Sequence, residues 1–164
     1  MAQTLKPWAQ APEDVPIPVG DVVDLTARLR PDGTLDWDVP EGQWTIVRTG
    51  HRMTGAQLSV PMPGQGGLEN DYLDRAGVEL IFENTARILL EDAGPLAGKT
   101  LQSFCSDSFE CGYPNWTANL VERFKQYRGY DPTPYLPVFS GWLVGSAEVS
   151  ERFLHDYRKT VALR

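Results

Sequence analysis

Apolar and polar residues alternate through Thr34-Leu-Asp-Trp-Asp-Val39, which puts Leu35, Trp37 and Val39 on one face of an extended chain, as a half-buried strand requires. Strand-like runs flank it at Asp21–Thr26 and Gln43–Thr49, with Pro31-Asp32-Gly33 and Pro40-Glu41-Gly42 as turns between them. Together they predict a small antiparallel β unit. Farther along, the hydrophobic period lengthens. Val78, Ile81, Phe82, Thr85, Ile88 and Leu89 predict a helix from Tyr72 to Ala93 with that stripe buried, Asp71 capping its start and Gly94-Pro95 ending it. Gly77 inside such a helix costs about 1 kcal/mol relative to Ala, which points to a neighbour packed closely against it. Gly98-Lys99 then turns the chain into a strand beginning at Thr100. A second helix is expected from a Thr117 cap to Gly129, with Leu120, Phe124 and Tyr127 along one side. Tyr130–Pro137 holds Pro132, Pro134 and Pro137 and is expected to be extended rather than helical. A third helix starts at Ser146, with Glu148 suited to its dipole and Val149, Phe153 and Tyr157 as its apolar stripe, and runs into the last residue, Arg164.

These elements divide the chain three ways. Residues 1–20, with Pro7, Pro12, Pro16 and Pro18, read as an extended lead-in; residues 21–67 hold the β unit and a Gly- and Pro-rich loop; residues 68–164 run helix, strand, helix. That succession makes the fold class α/β and suits either a β/α barrel or an open parallel sheet. In both architectures ligands bind where strands end. Here the strand from Thr100 runs into a polar, aromatic loop carrying Asp107, Glu110, Asn115 and Trp116, so any site is expected there.

Charge narrows the classes. A net charge of −7 over 164 residues, with no clustered Lys and Arg, argues against a nucleic-acid partner. No apolar run reaches membrane-span length, and the first residues lack the apolar core of a signal peptide. Cys105 and Cys111 flank the carboxylates, but an extended strand carries them apart, so they are expected to form neither a disulfide nor a zinc site. His51 and His155 read as ordinary surface or packing residues. Asn115-Trp-Thr117 matches a glycosylation sequon, for which a helix start next to a site residue is the simpler account.

Asp107 and Glu110 support two readings. They could hold a turn or cap a helix, or one could serve glycoside hydrolysis, which needs a general acid and a second carboxylate. Three residues apart across a strand-to-loop turn, they have no fixed separation, and a catalytic partner typically comes from another strand. The stretch Asp107-Ser-Phe-Glu110-Cys-Gly-Tyr-Pro-Asn115-Trp116-Thr117 resembles the D-S-W/F-E-x-G-x-x-N-W-T signature of family 106 glycoside hydrolases, the inverting α-L-rhamnosidases. Gly42-Gln-Trp44-Thr-Ile-Val-Arg48 is similar to the family's G-x-W-T-I-x-R strand, and Gly67-Leu68-Glu69-Asn70-Asp71 to its G-L-E-x-D turn. Arg128-Gly129-Tyr130-Asp131 with Pro134-Tyr135-Leu136-Pro137 resembles R-G-Y-D-x-x-P-Y-L-P, and Arg152–Arg158 the helix after it.

The resemblance implies a (β/α)8 catalytic barrel, two catalytic glutamates and dependence on calcium, whose ligands cannot be placed in this sequence. On that transfer Glu110 is the catalytic carboxylate, the acid rather than the base. Asp107 and Asn115 would bond sugar hydroxyls while the Trp116 indole stacks on the ring; core packing is the equal alternative for Trp116. Family members are much longer, and a barrel of eight units typically needs about 250 residues. The chain is therefore expected to be a fragment of a (β/α)8 barrel preceded by the small antiparallel β unit, inactive alone and completed by the remainder of the barrel. Its parent would hydrolyse terminal α-L-rhamnosides of plant or microbial glycans, in a periplasmic or secreted location. The competing readings are a non-catalytic carbohydrate-binding module using Trp37, Trp44 and Trp116, and a barrel glycosidase acting on galactosides or glucuronides.

Overall fold

The computed structural model describes residues 15–57, 64, 66–105 and 112–162. Their regular elements are helices: α1 (Arg75–Asn84), α2 (Ala86–Ala93), α3 (Leu120–Arg128) and α4 (Ala147–Ala162), with 3-10 segments at Val19–Asp21, Thr26–Arg28, Gly94–Leu96 and Thr133–Ser140. No β-strand forms among the described residues, where β pairing is confined to isolated bridges. No helix there is long and apolar enough to cross a membrane. The chain forms two compact units, Met1–Gly50 with Val121–Thr160, and His51–Leu120 with Val161–Arg164.

The first unit is built on aromatic packing. Phe124 of α3 and Phe153 of α4 are each 1% exposed and share a core with Val138 and Val144. Tyr130 meets Phe124 edge-on at 4.9 Å, and Tyr135 stacks on Phe153 at 5.5 Å. Such pairs add about 0.5–1.5 kcal/mol each beyond the area they bury. Polar bonds tie the rim: the Tyr130 hydroxyl donates to Asp156 (3.1 Å), and Arg128 Nε to Thr160 Oγ1 (3.0 Å). Burial, then the Asp156 carboxylate, pushes the Tyr130 phenol far above its ordinary value; burial pushes Tyr157 up to about 12. Ser146 caps α4 as expected, its Oγ accepting from Val149 N (3.1 Å). One turn on, Ser150 Oγ accepts from Val144 N (2.9 Å) and donates to Val144 O (3.1 Å). Ile17 pairs with this same segment, donating to Leu143 O (2.8 Å) and accepting from Gly145 N (2.7 Å).

Three expectations are corrected in this unit. Tyr130–Pro137 is not extended, because Thr133–Ser140 winds into a 3-10 helix. The fixed φ of Pro134 and Pro137 lies within the 3-10 range; Pro134 stands at the helix start, where a missing N–H removes little, while Pro137 lies inside it. The strand at Asp21–Thr26 gives way to the two short 3-10 turns around it. The strands at 34–39 and 43–49 shrink to one Leu29–Leu35 bridge, closed by Arg30 N to Thr34 O (2.8 Å) around a turn in which Asp32 accepts from Thr34 N. Beyond it Trp44 bonds back to the Pro40 carbonyl (3.0 Å) and meets Trp37 edge-on at 5.2 Å. Leu35 and Trp37 are shielded in part, but Val39 is 61% exposed. A lone hairpin without a covered face is marginal in water.

In the second unit the long helix expected over 72–93 starts later and breaks once. Asp74, not Asp71, caps α1, accepting from Ala76 N (3.3 Å). At Thr85 the backbone leaves helical values (φ −129°, ψ −79°), the Thr85 hydroxyl bonds back to Ile81 O (2.6 Å), and α2 begins at the next residue. Val78, Ile81, Phe82, Ile88 and Leu89 stay 44–53% exposed. Periodicity identifies the face that can be buried, while burial itself needs a covering element. After α2, the N–H groups of Lys99, Thr100 and Leu101 converge on the Leu96 carbonyl, and the strand expected from Thr100 is reduced to an Ala97–Leu101 bridge. Of the expected α/β pattern, a fragment of a (β/α)8 barrel after a small antiparallel β unit, the described residues thus carry helices and turns without the sheet.

Candidate functional site

Asn115, Trp116 and Thr117 belong to the second unit and precede α3 in sequence. Thr117 is 4% exposed, and its hydroxyl does not cap the helix as the sequence suggests. It donates instead to Asp71 Oδ2 at 2.8 Å. The other carboxylate oxygen accepts from Leu73 N (2.9 Å), an Asx turn that fixes the plane of the Asp71 side chain. Two positions back, Glu69 Oε2 accepts from the Tyr72 hydroxyl at 2.6 Å. Between them Asn70 lies against α1 at Gly77, where an added Cβ would stand 2.5 Å from Asn70 Oδ1 and 3.1 Å from the Asp71 carbonyl. That is the close neighbour expected from a glycine in a helix. The Gly67–Asp71 turn and the Asn115–Thr117 loop, distant in sequence, therefore meet through one buried hydroxyl–carboxylate bond.

Above this bond Trp116 is half-buried, and the His51 imidazole stacks on it with centroids 5.7 Å apart and planes 20° from parallel. Asn115 is exposed. Of the four residues singled out from the sequence, Asn115 and Trp116 lie in this loop, Trp116 stacked with His51 and next in sequence to Thr117, which bonds Asp71. Asp107 and Glu110 lie outside the described residues, as does Cys111; Cys105 is exposed. Sequence reasoning missed His51 and the role of Asp71. The Gly67–Asp71 motif was a usable signal for Asp71, whereas nothing local marks His51 as a neighbour of Trp116.

A family model for α-L-rhamnosidases, glycoside hydrolase family 106, matches residues 2–163. The chain belongs to that family. Among solved structures, this family 106 chain superposes on the rhamnosidase from Novosphingobium sp. PP1Y with a TM-score of 0.68 at 36% identity, over 85% of its own length and 14% of that protein's. It is 38% identical over 150 residues to a Formosa agariphila protein named "Putative beta-glucuronidase", covering 92% of this chain and 13% of that one. The family 106 chain therefore spans about one-seventh of the length of these relatives.

The resemblance implies calcium, which oxygen donors would have to hold. Among the described residues no group of three or more Asp, Glu, His or Cys side chains could hold a metal ion. Glu69 and Asp71, the carboxylates closest in sequence to the site turn, accept bonds from Tyr72, Thr117 and Leu73. The described residues do not make a calcium site.

Proposed function

We propose that this family 106 chain forms part of the catalytic domain of a glycosidase that cleaves terminal α-L-rhamnosides with inversion. The match to the α-L-rhamnosidase model across residues 2–163 carries this reading, and the junction of the two family motifs at Thr117 and Asp71 supports it. Glu110 serves as general acid, protonating the glycosidic oxygen as its bond to the anomeric carbon breaks. A second carboxylate, from the remainder of the domain, takes a proton from the water that attacks the opposite face. Asp107 and Asn115 bond the sugar hydroxyls, and Trp116 stacks on the ring. Calcium dependence belongs to the longer enzyme, and no step here passes through the ion.

Glu110→Gln in the longer enzyme is the test. It should reduce hydrolysis of an unactivated rhamnoside by roughly 10²–10⁴-fold, the usual contribution of a general acid. An aryl rhamnoside with a good leaving group should lose much less, because that leaving group needs no proton. Equal losses on both substrates would reassign Glu110 as the base, and unchanged activity on both would remove it from catalysis. The 164-residue chain alone should show no hydrolysis, since inversion needs both carboxylates; chelator-sensitive turnover by the chain alone would refute this.

The relative named for glucuronidase activity gives a second reading, a β-glucuronide substrate. L-rhamnose carries a methyl group where glucuronate carries a carboxylate, so the first suits an apolar wall and the second a cation. A panel of aryl glycosides separates them directly.

A further inference from the structure

We propose that Asp71, Thr117 and His51 are positioning residues that set the Trp116 indole for a sugar ring, an inference that rests on the glycosidase reading above. The backbone next to Trp116 is tethered. Thr117 is buried and donates to a carboxylate whose second oxygen is held by Leu73 N, so the Thr117–Asp71 bond admits one geometry. Hydrogen bonds to an ionised acceptor are about twice as strong as neutral ones. Behind this carboxylate Asn70 is wedged against Gly77, its Nδ2 buried without a hydrogen-bond partner among the described residues. A turn packed so closely has little room to shift.

The ring itself is held from one side. His51 lies nearly parallel to the indole, which restricts its rotation about the side-chain torsions. Trp116 nonetheless stays half-buried, unlike Phe124 and Phe153 in the first unit, which are buried to 1%. An indole tethered at its backbone and stacked against His51, half-buried rather than enclosed, is a platform whose orientation has been set before any ligand arrives. Pre-ordering one large side chain contributes on the order of fivefold to affinity.

The test is a double-mutant cycle in the longer enzyme, read as KM and kcat on the substrate it turns over. Thr117→Val keeps the shape but removes the donor; it should raise KM about fivefold and leave kcat within about twofold, because a platform contributes to ground and transition states alike. Thr117→Ser should restore KM. In a Trp116→Ala background the same Thr117→Val change should move KM by less than about twofold. An equal rise in both backgrounds, or a drop in Tm with KM unchanged, overturns the proposal. A second readout does not depend on the substrate: the indole N–H resonance of Trp116 in this chain, assigned by its loss in Trp116→Phe. Thr117→Val and His51→Ala should each shift it, and if neither does, the positioning role is refuted. If the resonance moves and rhamnosides are not cleaved while another glycoside is, the rhamnosidase reading fails and the positioning frame stands. If it moves and no glycoside is turned over or bound, the sugar platform is refuted.

Discussion

Replacing Gly77 with Ala sets two opposed effects against each other inside α1. Helix propensity favours Ala by about 1 kcal/mol. Packing opposes it, because the new Cβ would come within 2.5 Å of Asn70 Oδ1, 3.2 Å of its Cγ and 3.1 Å of the Asp71 carbonyl oxygen. The amide can swing, but the carbonyl is backbone and belongs to the turn that anchors Thr117. Overpacking of this kind typically costs about 1–3 kcal/mol. The net expectation is a loss of roughly 1 kcal/mol, the difference between about 2 for packing and about 1 for propensity. Native-state amide exchange at Val78–Phe82 reads the local opening of α1 directly. Those amides should exchange about fivefold faster in Gly77→Ala, where each 1.4 kcal/mol is a factor of ten. In an Asn70→Ala background the clash with the amide is gone, and Gly77→Ala should become neutral or protective. Slower exchange in the single variant would mean that propensity acts unopposed and that Asn70 does not sit against α1.

Two further outcomes are expected in the first unit. Ser150→Ala should lower stability by about 1–3 kcal/mol in urea, since it strips the buried Val144 N–H of the hydroxyl that accepts from it; no change would mean that the bond forms with equal strength in the unfolded chain or not at all. Tyr157 and Tyr130 have phenols raised above the ordinary value of 10.0 by burial, Tyr130 also by Asp156, so the unfolded chain loses these protons first. Both contributions are whole below pH about 10; that of Tyr157 is lost as the pH climbs from there through about 12, and that of Tyr130 extends higher; Tyr157→Phe should flatten the alkaline fall in a pH series of urea midpoints, and an unaltered fall would refute the assignment.

Local signals were legible where the chain solves a local problem. Ser146 caps α4 with its own hydroxyl, Gly129 ends α3 in the left-handed region at φ 79°, and Asp32 closes its turn onto Thr34. Gly77 announced its neighbour because only a close approach justifies a glycine there. The failures share a different cause. Alternation at 34–39 and periodicity at 78–89 mark faces that can be buried, yet burial depends on elements elsewhere, and those faces stay open to solvent. Thr117 and Asp71 each qualify as helix caps when read within four residues of themselves; each instead satisfies the other across 46 positions. The pairing of His51 with Trp116 has no local signature of any kind. Half of the candidate site, Asp107 and Glu110, is known from motif alone.

The pairing of Ile17 with residues 143–145 bears on how the polypeptide folds as it is synthesised. The first unit is made from two segments, Met1–Gly50 and Val121–Thr160, and His51–Leu120 of the second unit lies between them in sequence. On the ribosome, His51–Leu120 emerges whole while Ile17 still lacks the segment it pairs with. Loop-closure entropy rises only logarithmically with length, so the wait is a delay more than a penalty. Any compaction of the insert shortens the effective loop that Ile17 must close. The aromatic core of Phe124 and Phe153 then forms only after His51–Leu120 has emerged, once α4 clears the exit tunnel.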